Sequence, residues 1–382
     1  MAQIIYGHKI SSKHADTMDE TKIAEALQDA IVINHCLVKD DKKIAYFFID
    51  PLLNAFEAGN HFYFSILECK TVEKLTCYRS GAGPIQALRD AQEIIDHHLY
   101  DAVFIFGYEP LLTNKTKFGK ATIQQAMDIF NGPSVLSCYN ELGHIFCAEL
   151  GISFEDFDYL SDCLYQNYCH SFPDTSDSKF IDTEREAKLS AIGGDLFCLS
   201  DCANPNLDFA GGIIVTSDAI SDFLGISLAD RLEIIAVKTA IVEGHPNNLK
   251  SIHGQINDLF PHLREVFIQI QQASGIDIRS EFFQHKLLLD LYTCYPPVPL
   301  LFLLASQFAK TISDLPSLLH DYAVTITGGL SLAGAPWNNP ALNSLITLFQ
   351  QLPYSPAQYG LIHGNGGIGE IQGLALLGKW DA

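Results

Sequence analysis

Thr327-Gly-Gly-Leu-Ser-Leu-Ala-Gly-Ala-Pro-Trp-Asn-Asn339 is the stretch of this sequence that decides the fold. It begins at the end of the apolar run Ala323–Thr327, which predicts a strand, and it leads to a helix predicted to start at Pro340. A second glycine-rich stretch, Gly360-Leu-Ile-His-Gly-Asn-Gly-Gly367, follows that helix. Glycine pairs at strand ends let the backbone approach a ligand and free N–H groups for an oxyanion or a phosphate. Two such turns predict a binding crevice, or else simply the tight turns of a compact domain.

Strands and helices alternate outward from this stretch. The spacing of apolar residues predicts a helix from about Pro84 to His97, and the buried run Asp101–Gly107 after it predicts a strand inside a parallel sheet. Asp208–Ser217, Tyr359–His363 and Ile371–Leu377 have the same strand character. This alternation predicts the α/β class.

Composition excludes several functional classes. Hydrophobic residues make up 48% of the chain and charged residues only 18%, which predicts a globular protein with a large core. A net charge of −21 repels a phosphate backbone, so we expect no nucleic-acid partner and expect an anionic ligand to be bound by backbone N–H groups. No apolar stretch is long enough for a membrane span, and ten scattered cysteines fit reduced thiols in the cytoplasm. Their spacing matches no metal site.

Three segments carry a resemblance to a known family. Leu289-Asp-Leu-Tyr-Thr-Cys-Tyr-Pro296, the Gly-Gly turn with its Gly-x-Pro, and the terminal glycine-rich hairpin resemble, in order and spacing, three catalytic loops of thiolases. The branch they resemble most is the sterol-carrier-protein-type thiolases and the bacterial acetyl-CoA acetyltransferase-like proteins. Ser80–Ile95 resembles the thiolase nucleophile turn and its buried helix.

The resemblance implies a five-layered α-β-α-β-α fold made of two similar mixed-sheet halves. The halves would span residues 1–230 and 231–382. Between about residues 113 and 190 the residue pattern itself changes, with a helical segment at Asp156–Cys169 and a turn cluster at Pro173–Ser178, which predicts an inserted, mainly helical loop subdomain. Thiolases assemble through the edge of the first-half sheet, so the resemblance also implies a homodimer.

The nucleophile turn departs from the thiolase pattern. A thiolase has a cysteine at the N-terminus of its buried helix, where the helix dipole lowers the thiol pKa. Here Gly81 stands at that point, or Ser80 with a one-residue shift. Cys77 lies upstream, on the preceding strand, where we expect a small buried hydrophobe rather than a nucleophile.

At three further positions that correspond to catalytic residues of thiolases, this sequence has a different residue type. The histidine that activates the nucleophile in a Gly-His-Pro turn corresponds to Ala335, which cannot take a proton. The oxyanion-hole Asn or His corresponds to Tyr292, whose phenol can still donate a hydrogen bond. The terminal acid/base cysteine corresponds to Asn365.

Three residues remain as catalytic candidates. Cys294 matches the acid/base cysteine of the sterol-carrier-protein-type branch, and His363 lies near that branch's histidine. Tyr292 is the third. The predicted substrate-binding residues belong to the turns of the crevice: Gly81, Gly83, Gly328, Gly329, Ala335, Asn338, Asn365, Gly366 and Gly367.

These residues leave three functional hypotheses. The first is a thiolase-like acyltransferase of lipid metabolism, built around Cys294, with reduced or altered activity and with coenzyme A or acyl-CoA as substrate rather than a permanently bound cofactor. The second is a retro-aldolase that cleaves β-hydroxyacyl-CoA, with proton transfers by Tyr292 and by Tyr295 or His363. The third is a non-catalytic acyl-CoA-binding pseudo-thiolase, which senses its ligand or partners an active homologue as an accessory protein.

Overall fold

The computed structural model describes residues 1–14, 18–53, 67, 74–127, 133–172, 188–243 and 248–380. The strands within these ranges are β1 (Ala2–Ser12), β2 (Ile44–Ile49), β3 (Lys74–Tyr78), β4 (Ala102–Glu109), β5 (Asp208–Ser217), β6 (Leu232–Ile241), β7 (Gly254–Gln255), β8 (Asp258–Leu259), β9 (Leu287–Asp290), β10 (Tyr359–Gly366) and β11 (Ile371–Lys379).

The helices of the first half of the chain are α1 (Glu20–Ala26), α2 (Gln28–Lys39), α3 (Gly83–Asp96), α4 (Leu111–Phe118), α5 (Lys120–Met127), α6 (Val135–Leu150), α7 (Phe154–Ser171) and α8 (Asp218–Phe223). Those that follow are α9 (Leu249–His253), α10 (Pro261–Ser274), α11 (Ile278–Phe283), α12 (Pro297–Ala305), α13 (Leu315–Asp321), α14 (Gly329–Leu332) and α15 (Pro340–Gln351).

Nine strands form one mixed sheet in the order β3-β2-β4-β5-β1-β6-β11-β10-β9. The strands β2, β3 and β4 pair in parallel, as do β9 and β10, and the other neighbours are antiparallel. The predicted buried strand at Asp101–Gly107 is β4, which lies between a parallel neighbour, β2, and an antiparallel one, β5. The sheet around it is therefore mixed rather than purely parallel.

The two faces of the sheet belong to different hydrophobic cores. Along β4, Val103 and Ile105 join a central core with α3 and α15, whereas Phe104 and Phe106 point to a core shared with α2. A third core packs β9, β10 and β11 against α10 and the fully buried α12. Helices thus cover both faces of the sheet, which confirms the α/β class predicted from the sequence.

Ala323–Thr327 is the predicted element that the structure contradicts, because this segment is not a strand. It runs beside the end of β9, where the N–H of Leu291 donates to the carbonyl of Val324 at 3.0 Å. The backbone N–H groups of Ile326 and Thr327 then donate to the carboxylate of Asp290, at 2.7 and 3.1 Å, instead of to a neighbouring strand. The Asp290 side chain thus accepts the backbone N–H hydrogen bonds that a neighbouring β-strand would otherwise accept.

The region predicted to be an inserted helical subdomain contains α4 to α7. The helix expected at Asp156–Cys169 lies inside α7, whose first turn is closed by a capping box between Ser153 and Asp156. The predicted turn cluster at Pro173–Ser178 lies outside the described residues. Among the described ranges, none of the helices combines the length and the apolar character that crossing a bilayer requires.

Candidate functional site

The turn between β3 and α3 holds Gly81 at the position where the sequence resemblance puts a nucleophile. A Cβ placed on Gly81 would stand 2.7 Å from the Cζ atom of Tyr292 and would be closer still to the Tyr292 hydroxyl and the carbonyl oxygen of Asn365. Real Cβ contacts do not come so close, so no side chain fits here while Tyr292 keeps its place. The phenol fills the space that a nucleophile would need.

The two neighbouring nucleophile candidates do not replace it. Ser80 has a buried hydroxyl that makes no hydrogen bond with the described residues, so none of them is positioned as a base to activate it. Cys77 lies on β3, as predicted, but it is exposed rather than buried. Among the described strands, β3 is one of the two edge strands of the sheet. Its exposure corrects the expectation of a small buried hydrophobe.

Tyr292 and His363 lie close together in the structure. The backbone N–H of Tyr292 donates to Nδ1 of His363 at 3.3 Å, so the ring proton of His363 lies on Nε2 and is donated to Oε1 of Gln372 at 2.7 Å. Burial lowers the pKa of His363 to about 4, although the bond to Gln372 raises it in part. The histidine is neutral and both ring nitrogens are engaged.

Asn365 belongs to the same hydrogen-bond network. Gln372 donates from Nε2 to Oδ1 of Asn365 at 2.6 Å and to the carbonyl of Gly369 at 3.0 Å. Asn365 in turn donates to the hydroxyl of Tyr139 at 3.1 Å, and that hydroxyl donates to the carbonyl of Gly367 at 3.0 Å. The network fixes the terminal hairpin with groups of the protein itself.

Cys294 lies beside this network, on the loop that precedes α12. It is 5% exposed, and burial raises the pKa of its thiol to about 12, although the nearby hydroxyl of Tyr139 lowers it in part. The ring of Tyr139 also stacks on Tyr295, with 4.3 Å between centroids. At neutral pH the thiol is protonated, which makes it a poor base and a poor nucleophile.

The Gly328-Gly329 turn has the backbone that only glycine adopts readily, with φ of 87° and 73°. It is covered by aromatic residues at the end of α7. A Cβ on Gly328 would lie 2.7 Å from Cα of Phe172, and a Cβ on Gly329 would lie 2.8 Å from Cγ of Tyr168. The N–H of Leu330, just past the turn, donates to the hydroxyl of Thr293 at 2.8 Å. The turn is thus packed by the helical region in this conformation.

Ala335 and Asn338 occupy the loop between α14 and α15. Ala335 is buried, and its N–H donates to the carbonyl of Asn204 at 2.8 Å. Asn338 is also buried and donates from Nδ2 to the carbonyl of Asp50 at 2.8 Å. Both therefore contact protein groups.

The remaining predicted glycines are at the nucleophile turn and in the terminal hairpin. Gly83 is the first residue of α3 and has ordinary space around it, since the nearest atom to a Cβ placed there would be Cβ of Tyr78, at 3.4 Å. Gly366 ends β10 opposite Ser80, and a Cβ on this glycine would lie 3.0 Å from the Cβ of Ser80. Gly367 has φ of 66° and packs against the carboxylate of Glu370.

The sequence reasoning missed the residues that contact the predicted site. Tyr139 and Tyr168 come from α6 and α7, and no local pattern links them to loops more than a hundred residues later. Gln372 is the residue that the sequence could have indicated, because it is a wholly buried amide in the mainly apolar strand β11. Within the described part of the chain, no group of three or more His, Cys, Asp or Glu side chains is arranged to hold a metal ion.

Comparison with solved structures finds the same fold in thiolases. The chain matches a monomeric SCP2-thiolase-like protein type 1 from Mycobacterium smegmatis with a TM-score of 0.70 and 14% identity, over 100% of this chain and 78% of that one. It matches the Acat5 thiolase from Ascaris suum, solved in complex with coenzyme A, with a TM-score of 0.65 and 13% identity, over 99% and 100% of the two chains.

A third similar structure is human mitochondrial 3-ketoacyl-CoA thiolase, with a TM-score of 0.63 and 12% identity, over 100% of this chain and 99% of that one. No protein-family model matches the sequence, and no curated protein matches it. At these identities the likeness concerns the fold, and it extends over the whole chain.

Proposed function

We propose that this chain, which has the thiolase fold, is a pseudo-thiolase that binds a coenzyme A thioester without forming an acyl-enzyme. The observation that carries the proposal is the phenol of Tyr292 packed into the space that a side chain at position 81 would occupy. A thiolase reaction begins with a thiolate at that point, attacking the thioester carbon. With a glycine there and a tyrosine against it, the first covalent step has no nucleophile.

The acid/base positions support the same conclusion. Acyl transfer needs a group that gains and loses a proton near neutral pH. Burial raises the pKa of Cys294 to about 12 and lowers that of His363 to about 4, so each lies several units from the working range. Ala335 has no proton to transfer. An acyltransferase centred on Cys294 remains the alternative, and it would require the thiol to become solvated or to meet a cation when substrate binds.

The retro-aldolase alternative rests on Tyr292 as an acid/base. Burial raises the pKa of this phenol well above its usual range, with the nearby Cys294 adding to the effect. The phenolate needed to deprotonate a β-hydroxyl group is thereby disfavoured. His363, the second group of that hypothesis, is neutral and already hydrogen-bonded on both ring nitrogens.

Coenzyme A is the ligand we propose on two grounds. The similar Acat5 thiolase is a complex with coenzyme A. The present chain keeps the glycine turns at Gly328-Gly329 and Gly366-Gly367, and backbone N–H groups suit an anionic or carbonyl ligand in a protein of net charge −21. Since Tyr168 and Phe172 cover the first turn, entry of the thioester would displace them.

The test measures binding and chemistry separately on the same protein. Calorimetry with coenzyme A and with acetyl-CoA reports binding, and intact-mass spectrometry after incubation with acetyl-CoA reports an acyl-enzyme. Thiolysis of acetoacetyl-CoA is compared between wild type, Cys294→Ser and Cys147→Ser, which removes a buried thiol on α6 outside the site. We expect binding, no acylated protein, and equal background rates in all three proteins.

Two results would overturn the proposal. An acylated protein, or a thiolysis rate lost in Cys294→Ser but kept in Cys147→Ser, would establish the acyltransferase. The absence of any binding of coenzyme A or acetyl-CoA would remove the ligand and leave only an accessory role beside an active homologue.

The assembly state is a separate proposal. Among the described strands, β3 is an edge strand of the sheet, and edge strands pair readily with another chain. We propose a homodimer through β3 in the cytoplasm, although one similar structure is a monomeric protein. Sedimentation velocity distinguishes the two states, and Leu75→Lys, on the exposed part of β3, would convert a dimer into a monomer.

A further inference from the structure

A cavity of about 670 Å³ lies away from the candidate site, between β1, the turn at 225–230 that precedes β6, and the C-terminal end of α15. None of its lining residues belongs to the thiolase-like loops described above. Its size is that of a small-molecule site.

The cavity lies where the strand β1 separates from its neighbour β6. It pairs with β5 along its whole length but with β6 only at Gln3 and Ile4, so the sheet divides beyond that point. The register of β1 shifts between Ile4 and Tyr6, which is a β-bulge at Ile5. Bulges re-aim the side chains that follow, and here the following residue, Tyr6, lines the cavity.

Tyr6 has a polar atom that the fold leaves unpaired. Its side chain is buried, and its hydroxyl makes no hydrogen bond within the described part of the protein. Burial, and then the negative charge of Asp29, raise the pKa of Tyr6 above its usual range, so the phenol keeps its proton. The unpaired hydroxyl is a cost that the fold bears beneath the cavity, and the rest of the Tyr6 side chain forms part of the cavity wall.

The rest of the lining combines aromatic rings with carboxylates. Phe349 and Tyr354 come from the end of α15 and the turn after it, and Tyr354 is 88% exposed, an unusual position for so large a ring. Asp29 and Asp230 supply negative charge. Of the described residues that line the cavity, none is a lysine or an arginine, and His8 is the one basic side chain.

We propose that this cavity binds a small organic cation, an ammonium group on a short apolar body. Aromatic faces attract cations within about 6 Å of the ring. Two carboxylates and the net charge of −21 favour the same sign of ligand. The proposal is independent of what the thiolase-like loops bind.

The probes are choline and 3,3-dimethylbutan-1-ol, which have nearly the same shape but differ in charge because carbon replaces nitrogen. Binding to the full chain is measured by calorimetry and by ligand-observed NMR at low and at physiological salt. We expect choline to bind and the neutral alcohol to bind at least about tenfold more weakly, since most of the attraction is electrostatic. Choline binding should weaken as salt rises.

Variants locate the site. Tyr354→Leu removes an exposed ring and Asp230→Asn an exposed charge, and neither change disturbs the core. We expect each to weaken choline binding by roughly two- to fivefold. The control is Tyr159→Leu, which removes a ring of 59% exposure on α7. Equal binding of the neutral alcohol, no binding of choline, or equal losses in the control variant would each overturn the proposal.

Discussion

The phenol of Tyr292 packs directly on Gly81, with its Cζ atom 2.7 Å from the position that a Cβ on Gly81 would take. In the sequence resemblance these positions are two separate departures from the thiolase pattern, one at the nucleophile turn and one at the oxyanion-hole position. In the structure they are one feature, because the tyrosine fits only while position 81 is a glycine. The carbonyl oxygen of Asn365 closes the same space from another side.

Introducing a cysteine at this turn should therefore destabilise the protein. We expect Gly81→Cys to lower the free energy of unfolding by about 1–3 kcal/mol through overpacking, as measured by urea denaturation. Adding Tyr292→Asn should recover part of that loss, so that the double-mutant cycle has a favourable coupling energy. Gly83→Cys, two residues away with its nearest contact at 3.4 Å, is the control and should cost less. Additive effects of Gly81→Cys and Tyr292→Asn would contradict the packing argument.

The thiol of Cys294 should be unusually slow to alkylate in the folded protein. It is buried and burial raises its pKa to about 12, whereas Cys36 and Cys77 are exposed. At pH 8 a thiol with that pKa is only about one part in 10⁴ thiolate, and the thiolate is the reactive form. Iodoacetamide labelling followed by peptide mass spectrometry should modify Cys36 and Cys77 first, and labelling of Cys294 should accelerate as the pH rises. Early labelling of Cys294 would instead support the acyltransferase hypothesis.

His363 should make the stability of the protein depend on pH. Its pKa is lowered to about 4 in the fold, mainly by burial, against an ordinary value of about 6.5 in the unfolded chain. The unfolded state therefore binds a proton that the folded state does not, and stability falls as the pH drops from about 6.5 towards 4. Over that window the loss approaches about 3 kcal/mol.

The measurement is urea unfolding of wild type and His363→Gln at pH 7.5 and 4.5. Above pH 6.5 the variant should be the less stable protein, because it loses the bonds to Tyr292 and Gln372. At pH 4.5 the difference should shrink or reverse, since glutamine has no proton to gain. His262 has a pKa lowered to about 4 for the same reason, so wild type and variant will share a further acid transition. A difference that stays constant with pH would show that His363 is not titrating.

Local pattern predicted much of the fold because the decisive elements are fully buried. The apolar patterns of the run at Asp101–Gly107 and of the helix that starts at Pro84 are compatible with few other secondary structures. Ala323–Thr327 had the same apolar character and failed, because one side chain, the Asp290 carboxylate, binds the backbone donors of Ile326 and Thr327. The local sequence pattern of residues 323–327 contains no information about a carboxylate that reaches them only through a tertiary contact.

The candidate site was predictable in its backbone but not in its contents. The resemblance placed the Gly328-Gly329 turn, and its φ values do require glycine. What lies on that turn is Tyr168 and Phe172, which are separated from it by more than 150 residues of sequence. The glycines therefore predict the backbone conformation of the turn. Which side chains fill the space beside the turn depends on long-range packing, which only the three-dimensional structure shows.

The loop before α15 contains a similar pairing of a glycine with a polar side chain. Asn339 is the N-cap residue of α15, but its side chain makes no capping hydrogen bond. Its amide faces Gly107 on β4, in the space that a Cβ there would take, and neither amide atom has a hydrogen-bond partner within the described protein. The glycine in the middle of a buried strand is explained by this approach.

Two substitutions test that arrangement. Gly107→Ala should destabilise the protein by about 2 kcal/mol or more, because the new methyl group meets the Asn339 amide and the Cδ2 atom of Leu342 at 2.9 Å. Asn339→Ala should cost much less than the usual ~1 kcal/mol of a lost N-cap, and it should suppress part of the Gly107→Ala defect. Asn248→Ala is the matched control, because Asn248 caps α9 with side-chain bonds from two backbone N–H groups, at 3.1 and 3.3 Å. Urea unfolding of wild type, the three single variants and the double variant Gly107→Ala/Asn339→Ala decides the matter, and a cost for Asn339→Ala equal to that for Asn248→Ala would show that Asn339 does stabilise the helix.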